Sequence, residues 1–271
     1  MERWVKRVAV VTGASSGIGE DIAATLVKYG MTVVGMARRE DRLKQLEKRL
    51  ENEKGKFYPR QTDVRIEDEI LSDFEWIEQE LGPVSVLVNN AGLHSNKALT
   101  EENTGKWKDI LGVNVLALSI CTREALRSMR NHGINDGHII NISSIASQHS
   151  TPLPGCSMYA ASKRAVMAIS EGLRRELALS NSLIRVTTIC PGLVATEIID
   201  NSGMGSKLPP NLPILQPADV TKAIIFCLEM PAYCQINDLT LRTVGEDEMK
   251  ILMTIERIQN EKNQAKVEKA D

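Results

Sequence analysis

Tyr159 and Lys163 are the residues of this sequence whose types and spacing most directly suggest chemistry. They stand four residues apart in a stretch that reads as helix, Ser157 to Ser180, so both side chains project from one face. A free tyrosine has a pKa of about 10. A nearby ammonium favours the phenolate and lowers this pKa by roughly 1–3 units. Such a tyrosine can give a proton to a carbonyl oxygen or take one from an alcohol. Most Tyr–Lys pairs at this spacing are solvated helix surface, so the pair needs support from the rest of the chain.

Composition restricts the class of protein that can provide that support. The 271 residues are 42% hydrophobic and 25% charged, with a net charge of −2, which is ordinary for a globular protein and gives no attraction to nucleic acid or anionic lipid. No run of about 18 apolar residues predicts a membrane span, and Met1 to Arg7 lacks the apolar region of a secretory signal. The cysteines are odd in number and lack CxxC spacing, which indicates buried thiols in a cytoplasmic protein: Cys121, Cys156, Cys190, Cys227 and Cys234.

A glycine-rich stretch near the start of the chain predicts a phosphate-binding turn. The apolar run Val8 to Val11 passes directly into Thr12-Gly13-Ala14-Ser15-Ser16-Gly17-Ile18-Gly19, and helical apolar spacing follows. Glycines let the backbone approach a ligand, and a helix N-terminus offers unpaired N–H groups to a pyrophosphate. The spacing is neither G-x-G-x-x-G nor a nucleotide-triphosphate loop. A plain glycine-rich turn is the alternative, and the strand–helix context favours phosphate binding.

Two arginines follow the second predicted strand. Thr32 to Met36 ends at Ala37, and Arg38 and Arg39 stand where an NAD-binding fold would carry an acidic residue for the ribose 2′-hydroxyl. Guanidinium groups suit a 2′-phosphate in geometry and charge. The alternative is that the two residues only begin the charged helix that runs to about Glu53. We favour NADP as the cofactor.

Strands and helices continue to alternate, which predicts an α/β fold with a single Rossmann-type doubly wound parallel sheet and helices on both faces. Asp63 and Val64 stand at a strand end, where the carboxylate could meet an adenine amino group. The buried-type strand Val84 to Val88 ends in Asn89-Asn90-Ala91-Gly92. These asparagines satisfy backbone groups or contact the cofactor, and the sequence favours neither reading.

Further polar residues lie in apolar surroundings. Asn114 interrupts the apolar residues of a long helical region from about 104 to 132, where an unpaired amide would cost roughly 1–3 kcal/mol. The alternative to a functional role for Asn114 is that it marks a helix kink or a local cap. Ser143 and Ser144 end the predicted strand that begins at Gly137, at the edge where doubly wound sheets present catalytic groups.

The remaining segments carry weaker signals. Residues 148–156 form a predicted loop, and the polar stretch 201–206, with prolines at 209, 210 and 213, is a candidate substrate lid. We assign residues 1–245 to an NADP-binding domain and 246–271 to a charged, partly helical tail with a stripe of Ile251, Ile255 and Ile258. The four histidines show no metal-site spacing, so we expect no metal and assign them no role.

Taken together, residues 5 to 245 are similar to the short-chain dehydrogenase/reductase family. The resemblance rests on motifs in the family's order: Thr12-Gly13-x3-Gly17-x-Gly19, Asp63, Asn89-Asn90-Ala91-Gly92, Asn114, Ser144, Tyr159-x3-Lys163 and Pro191-Gly192. It implies a hydride transfer in which Tyr159 is the general acid/base and Ser144, or Ser143 if the register differs, bonds the substrate oxygen. It further implies that Lys163 lowers the tyrosine pKa and holds the nicotinamide ribose, while Asn114 holds a water for proton relay.

The resemblance also implies a cofactor site that Thr196 completes at the nicotinamide amide. Its expected residues are Gly13, Ser15, Ser16, Gly17, Ile18, Gly19, Arg38, Arg39, Asp63, Val64, Asn90, Ala91, Gly92, Tyr159, Lys163, Pro191, Gly192, Val194 and Thr196. Several stretches, among them the run from Asn114 to Ala125, resemble a subgroup that uses NADP with isoprenoid alcohols or with keto groups of steroids and other carbonyls.

We therefore expect an NADP-dependent oxidoreductase that acts on a small apolar alcohol or carbonyl, farnesol-type alcohols being favoured. The alternative is a sensor or scaffold that binds NADP without turnover and uses the charged tail to bind a partner. Family members usually pair through the two long helices around Asn114 and Tyr159, which implies a homodimer or a homotetramer.

Overall fold

The computed structural model shows seven parallel strands in one sheet, ordered β3-β2-β1-β4-β5-β6-β7. The strands alternate with helices along the chain, as expected for crossover connections. They are β1 (Val8–Thr12), β2 (Thr32–Ala37), β3 (Lys56–Gln61), β4 (Val84–Asn89), β5 (His138–Ile142), β6 (Arg185–Pro191) and β7 (Asp238–Leu241). This topology confirms the predicted doubly wound α/β fold.

The structure describes residues 1–95, 97–148, 156–197, 199, 214–247, 253 and 257. Within these ranges the helices are α1 (Gly17–Lys28), α2 (Glu40–Leu50), α3 (Glu67–Glu80), α4 (Thr104–Leu111), α5 (Leu118–Asn131), α6 (Ser157–Leu179) and α7 (Pro217–Glu229). The described part contains no helix that is both long and apolar enough to cross a membrane. The candidate lid at 201–206 with its prolines, most of the loop 148–156 and the isoleucine stripe of the tail lie outside the described residues.

Two hydrophobic cores cover the two faces of the sheet. Strand β1 is buried throughout, and its side chains alternate: Ala9 and Val11 contribute to one core, and Val8 and Val10 contribute to the other. The first core contains apolar residues of α1, α2 and α7, and the second contains those of α3, α5 and α6. Burial on both faces explains why the central strands read as continuous apolar runs.

The long helix predicted over 104–132 is interrupted. A π-helical turn, Gly112–Ala117, separates α4 from α5, and Asn114 lies inside it. A π-turn holds one residue more than an α-turn, and such turns frequently occur at functional sites. The structure thus places a π-turn at Asn114, which neither the kink nor the local cap considered for this residue had specified.

The site is positioned by the point at which the strand order reverses. Strand β1 pairs with β2 on one side and with β4 on the other. The chain therefore builds the sheet toward β3 on the β2 side of β1 and toward β7 on the β4 side. The connections after β1 and β4 then diverge and leave a crevice beyond the carboxyl ends of the two strands. The glycine-rich turn and the Asn89-Asn90-Ala91-Gly92 segment meet at that crevice.

The close approach of these two segments yields a stability prediction for Gly19→Ala. Alanine normally stabilises a helix relative to glycine, but a Cβ on Gly19 would overlap Asn90 Nδ2 and the Gly13 carbonyl oxygen. We expect the free energy of unfolding, measured by urea titration, to fall by about 1–3 kcal/mol.

Gly172→Ala is the matched control for this change. Gly172 lies inside α6, and an added Cβ there would meet no atom within 4 Å. This variant should gain roughly 0.5–1 kcal/mol in the free energy of unfolding. A stabilising effect of both substitutions would contradict the close approach at Gly19.

Candidate functional site

Thr12 and Asn90 hold the glycine-rich turn against the end of β4. Gly13 and Gly17 have φ angles of 70° and 57°, which favour glycine. Asn90 Nδ2 donates to the carbonyl oxygens of Thr12 (2.9 Å) and Gly13 (3.3 Å), and Thr12 Oγ1 accepts from the backbone N–H groups of Asn90 and Ala91. The side chain of Asn90 therefore satisfies backbone groups, which was one of the two readings of this residue.

A cleft opens above this turn. Most of the expected cofactor residues line it: Gly13, Ser15, Ser16, Gly17, Ile18, Arg38, Arg39, Asp63, Val64, Asn90, Ala91, Gly92 and Thr196. The expected residues that do not line it are Gly19, Tyr159, Lys163, Pro191, Gly192 and Val194. Residues that line it without having been expected are Met36, Ala37, Thr62, Arg65, Leu93, Val113 and Glu197.

The two arginines at the end of β2 have different surroundings. Arg38 is exposed, and its guanidinium has no hydrogen bond or ion pair with the described residues. Arg39 turns back over the glycine-rich turn, where it donates to Ser15 Oγ and Ser16 Oγ and pairs with Glu197 (Nη1–Oε2, 2.7 Å). One cation is thus available at the rim of the cleft, and the other is already bound.

Asp63 is engaged by a neighbour that the sequence reading did not include. Arg65 Nε lies 3.0 Å from Asp63 Oδ1, and Arg65 Nη2 lies 2.5 Å from Oδ2. The hydrogen bond from Arg65 lowers the pKa of Asp63, with burial acting in the opposite direction. The carboxylate lines the cleft as an acceptor, and an adenine amino group would share it with Arg65.

Tyr159 is partly buried in the first turn of α6, and removal of its phenol from water raises its pKa to about 12. A side-chain hydrogen bond with Ser144 acts in the opposite direction. The shift is opposite in direction to the lowering of the pKa that was expected from Lys163. Burial is the largest cause of the shift, and the phenol is protonated at neutral pH.

Lys163 is buried beneath Tyr159. Its Nζ lies 5.7 Å from the centroid of the tyrosine ring and donates to the Ile142 carbonyl oxygen at 2.7 Å. Burial also lowers the pKa of Lys163, to about 8. The spacing of four residues does bring the two side chains together, as predicted.

The two candidate serines point in different directions. Ser143 Oγ is buried and donates to the Lys163 carbonyl oxygen at 3.1 Å. Ser144 is the N-cap of a short 3₁₀-helix, Ile145–Ser147, and its hydroxyl hydrogen-bonds with Tyr159. The structure brings Ser144 and not Ser143 to the phenol of Tyr159.

Asn114 connects three parts of the site. Its Nδ2 donates to the Leu93 carbonyl oxygen and to Ser162 Oγ, both at 2.9 Å, and its Oδ1 accepts from the Leu93 N–H at 2.8 Å. A Cβ on Gly92 would lie 3.7 Å from Asn114 Oδ1 and 3.8 Å from Lys163 Nζ. Asn114 thereby holds the backbone of Leu93 and the side chain of Ser162 close to Lys163.

His94 is the neighbour of Tyr159 that sequence reasoning missed. Its ring packs edge-on against the phenol, with centroids 4.8 Å apart, and Nε2 lies 3.4 Å from Cys156 Sγ. Burial, and secondarily the charge of Lys106, lower the pKa of His94 to about 4. The position two residues after Gly92 was the only available signal, because no spacing or motif marks this histidine.

Comparisons with known proteins agree with this geometry. A family model described as "short chain dehydrogenase" matches residues 7–205. "Dehydrogenase/reductase SDR family member 11" from Homo sapiens is 41% identical over 249 residues, covering 89% of this chain and 96% of the relative. "Farnesol dehydrogenase" from Aedes aegypti is 40% identical over 248 residues, covering 91% and 99%. The closed form of a serine dehydrogenase complexed with NADP+ superimposes with a TM-score of 0.78 at 30% identity, covering 89% and 96%.

The lowered pKa of His94 yields a prediction about acid stability. A folded-state pKa of about 4, against 6.5 unfolded, makes the unfolded chain bind more protons between these values, so stability falls as the pH falls through this interval. His94→Phe keeps a ring against Tyr159 and removes this titration. Between pH 7 and pH 5, we expect the variant to lose roughly 1–2 kcal/mol less unfolding free energy than the wild type in urea titrations. Equal losses would show that His94 is not buried as described.

Proposed function

The chain belongs to the short chain dehydrogenase family, and on that premise we propose that it is an NADP-dependent oxidoreductase acting on an apolar alcohol or carbonyl. The Ser144–Tyr159 hydrogen bond, with Lys163 buried beside the same phenol, is the observation that carries this proposal. In this arrangement Tyr159 can give a proton, and Ser144 a hydrogen bond, to the same substrate oxygen.

The cleft fits a phosphorylated dinucleotide. Its glycine-rich turn leads into the N-terminus of α1, Arg38 is a cation without a partner among the described residues, and Ser15 adds a hydroxyl. No acidic residue stands at the end of β2 to favour the 2′-hydroxyl of NAD. Solved relatives carry NADP or NADPH. NADP, when bound, supplies or accepts the hydride.

Tyr159 acts as the proton donor in carbonyl reduction. The phenol is protonated at neutral pH both at the ordinary tyrosine pKa and at the raised one, and this is the state that donation requires. Ser144 donates a hydrogen bond to the substrate oxygen and stabilises the charge that develops there. In alcohol oxidation the same two groups act in reverse.

Lys163 and Asn114 position the other groups. Lys163 would hold the nicotinamide ribose, and its bond to the Ile142 carbonyl oxygen fixes its ammonium at the end of β5. Both N–H groups of Asn114 are occupied by Leu93 and Ser162, so a relay water would use the second lone pair of Oδ1. The proton relay through this asparagine stays a prediction.

We propose a farnesol-type isoprenoid alcohol as the substrate, with keto-steroids or other carbonyls as further candidates. The identity with the Aedes aegypti relative, which is named farnesol dehydrogenase, supports this choice. A sensor that binds NADP without turnover would need neither Ser144 nor the Tyr159–Lys163 pair.

We further propose a cytoplasmic homodimer or homotetramer that pairs through α4–α5 and α6. Leu116 is 61% exposed on the π-turn, and an apolar side chain of this kind suits an interface. The five cysteines form no disulfide, and four are buried, as suits a reducing compartment. We assign residues 1–245 to the catalytic domain and 246–271 to the tail.

The first prediction for this function concerns turnover. Purified protein should change nicotinamide absorbance with NADP and farnesol, or with a related isoprenoid alcohol or keto-steroid. Tyr159→Phe should abolish that change while its NADP affinity, measured by calorimetry, stays within about threefold, because the hydroxyl transfers a proton without binding the dinucleotide phosphates. NADP binding without turnover of any of these substrates by the wild type would favour the sensor.

The two serines provide a matched pair for the same assay. Ser144→Ala should lower kcat by about 10²–10³-fold, the loss typical of one donor to a developing oxyanion. Ser143→Ala removes hydrogen bonds to the Lys163 carbonyl oxygen and to the Cys190 side chain, neither of which involves Tyr159, and should retain more than about a tenth of kcat. The reverse order would assign the role to Ser143.

The second prediction concerns the cofactor. Arg38→Ala should weaken NADP binding by about 10–100-fold and NAD binding by less than about threefold, because the lost contacts are charge-assisted bonds to the 2′-phosphate. Lys44→Ala is the matched control, since Lys44 is an exposed cation of α2 that pairs with Glu40. Equal losses for NADP and NAD in calorimetric titrations would show that Arg38 does not recognise the 2′-phosphate.

A further inference from the structure

A carboxylate of the protein itself pairs with Arg39, one of the two arginines at the end of β2 that line the cofactor cleft. Glu197 follows Thr196 directly, and its side chain pairs with Arg39 (Nη1–Oε2, 2.7 Å) and with Arg42 of α2. The hydrogen bonds from Arg42 and Arg39 lower the pKa of Glu197 to about 2, so the carboxylate is ionised throughout the physiological pH range. Glu197 lines the same cleft as Gly13, Ser16 and Arg38.

The donors of Arg39 are almost fully used in this arrangement. Nε and Nη2 donate to Ser15 Oγ, Nη2 also donates to Ser16 Oγ, and Nη1 donates to Glu197. A guanidinium has five N–H donors, so one remains. A phosphate dianion that takes Arg39 must therefore replace existing partners, and it would do so beside the negative charge of Glu197.

The ion pairs of Glu197 are of a kind that a phosphate can displace. The side chains of Glu197, Arg39 and Arg42 are about 40% exposed, their fractions being 38%, 41% and 40%. Pairs at this exposure contribute little because water screens them. A phosphate carries more charge and three acceptor oxygens, so it binds Arg39 more strongly than one carboxylate does.

We propose that Glu197 is an internal competitor for the NADP 2′-phosphate: it pairs with Arg39 and must leave it before the 2′-phosphate binds there. This inference rests on the proposed use of NADP. It makes Glu197 a determinant of cofactor affinity that acts through Arg39, with Arg42 as the partner that retains the displaced carboxylate.

The competition has a defined energetic consequence. The apparent affinity for NADP is reduced by the fraction of molecules in which Glu197 occupies Arg39, because only the remainder offers Arg39 as well as Arg38 to the 2′-phosphate. An occupancy near nine-tenths corresponds to about a tenfold loss. A cofactor without a 2′-phosphate does not need Arg39 and escapes this loss.

The test is a calorimetric titration of the full chain and of Glu197→Gln with four ligands: NADP, NAD, 2′,5′-ADP and 5′-AMP. Of these, 2′,5′-ADP carries the 2′-phosphate without a nicotinamide, and 5′-AMP lacks that phosphate. Glutamine keeps the size of the side chain and removes its charge. We expect Glu197→Gln to bind NADP and 2′,5′-ADP about 5–20-fold more tightly than the wild type, with NAD affinity changed less than twofold.

Glu20→Gln is the matched control. Glu20 lies on α1 and pairs with Arg49, so this variant removes the same charge near α2 without a contact to Arg39. Its NADP affinity should stay within twofold of the wild type. An equal gain in Glu20→Gln would show a general charge effect and overturn the competition.

The remaining outcomes separate this inference from the proposed function. Unchanged or weaker binding of NADP and 2′,5′-ADP by Glu197→Gln would overturn the competition, weaker binding indicating that Glu197 closes over the bound cofactor. A wild type that binds NAD as tightly as NADP, and 2′,5′-ADP no better than 5′-AMP, would instead overturn the use of NADP itself.

Discussion

Parallel pairing is the constraint on which this site depends. The carboxyl ends of seven parallel strands meet at one edge of the sheet, and the order reversal between β1 and β4 opens a crevice there. The glycine-rich turn follows β1, Arg38 and Arg39 follow β2, and Ser144 follows β5. Residues more than a hundred positions apart in the chain therefore come together because the strands that carry them belong to one sheet.

The same edge must satisfy polar groups that burial removes from water. Asn89 donates to Thr122 Oγ1 and to Asn141 Oδ1, and Asn141 Nδ2 donates to Ser170 Oγ. Each buried group left unpaired would cost about 1–3 kcal/mol, so this chain of bonds ties β4 and β5 to α5 and α6. Asn90 binds the glycine turn and Asn114 binds Leu93. The asparagines of the family motif hold the framework in which the reactive groups lie.

Local spacing accounts for what the sequence could predict. The strand–glycine–helix order, the two arginines after β2 and the Tyr159-x3-Lys163 pair are each read within a few residues, and the sheet brings them to the expected edge. Contacts between distant segments could not be read in this way. Arg39 and Glu197 are 158 positions apart, and His94 and Cys156 are 62 apart, so nothing local indicates either pair. The π-turn at Asn114 could not be read locally either, because an asparagine in an apolar helix is also compatible with a kink or a local cap.

The sign of the Tyr159 pKa shift shows why spacing does not determine reactivity. Proximity of an ammonium favours the phenolate, but burial disfavours the charged form of both groups, raising the pKa of Tyr159 and lowering that of Lys163. Burial is a property of the assembled site, because it depends on α6 packing against β5 and the segment around His94. At neutral pH the phenol is then an acid beside a buried ammonium that is bound to Ile142. Burial therefore determines the direction of both pKa shifts, whereas the spacing of four residues determines only that the two side chains meet.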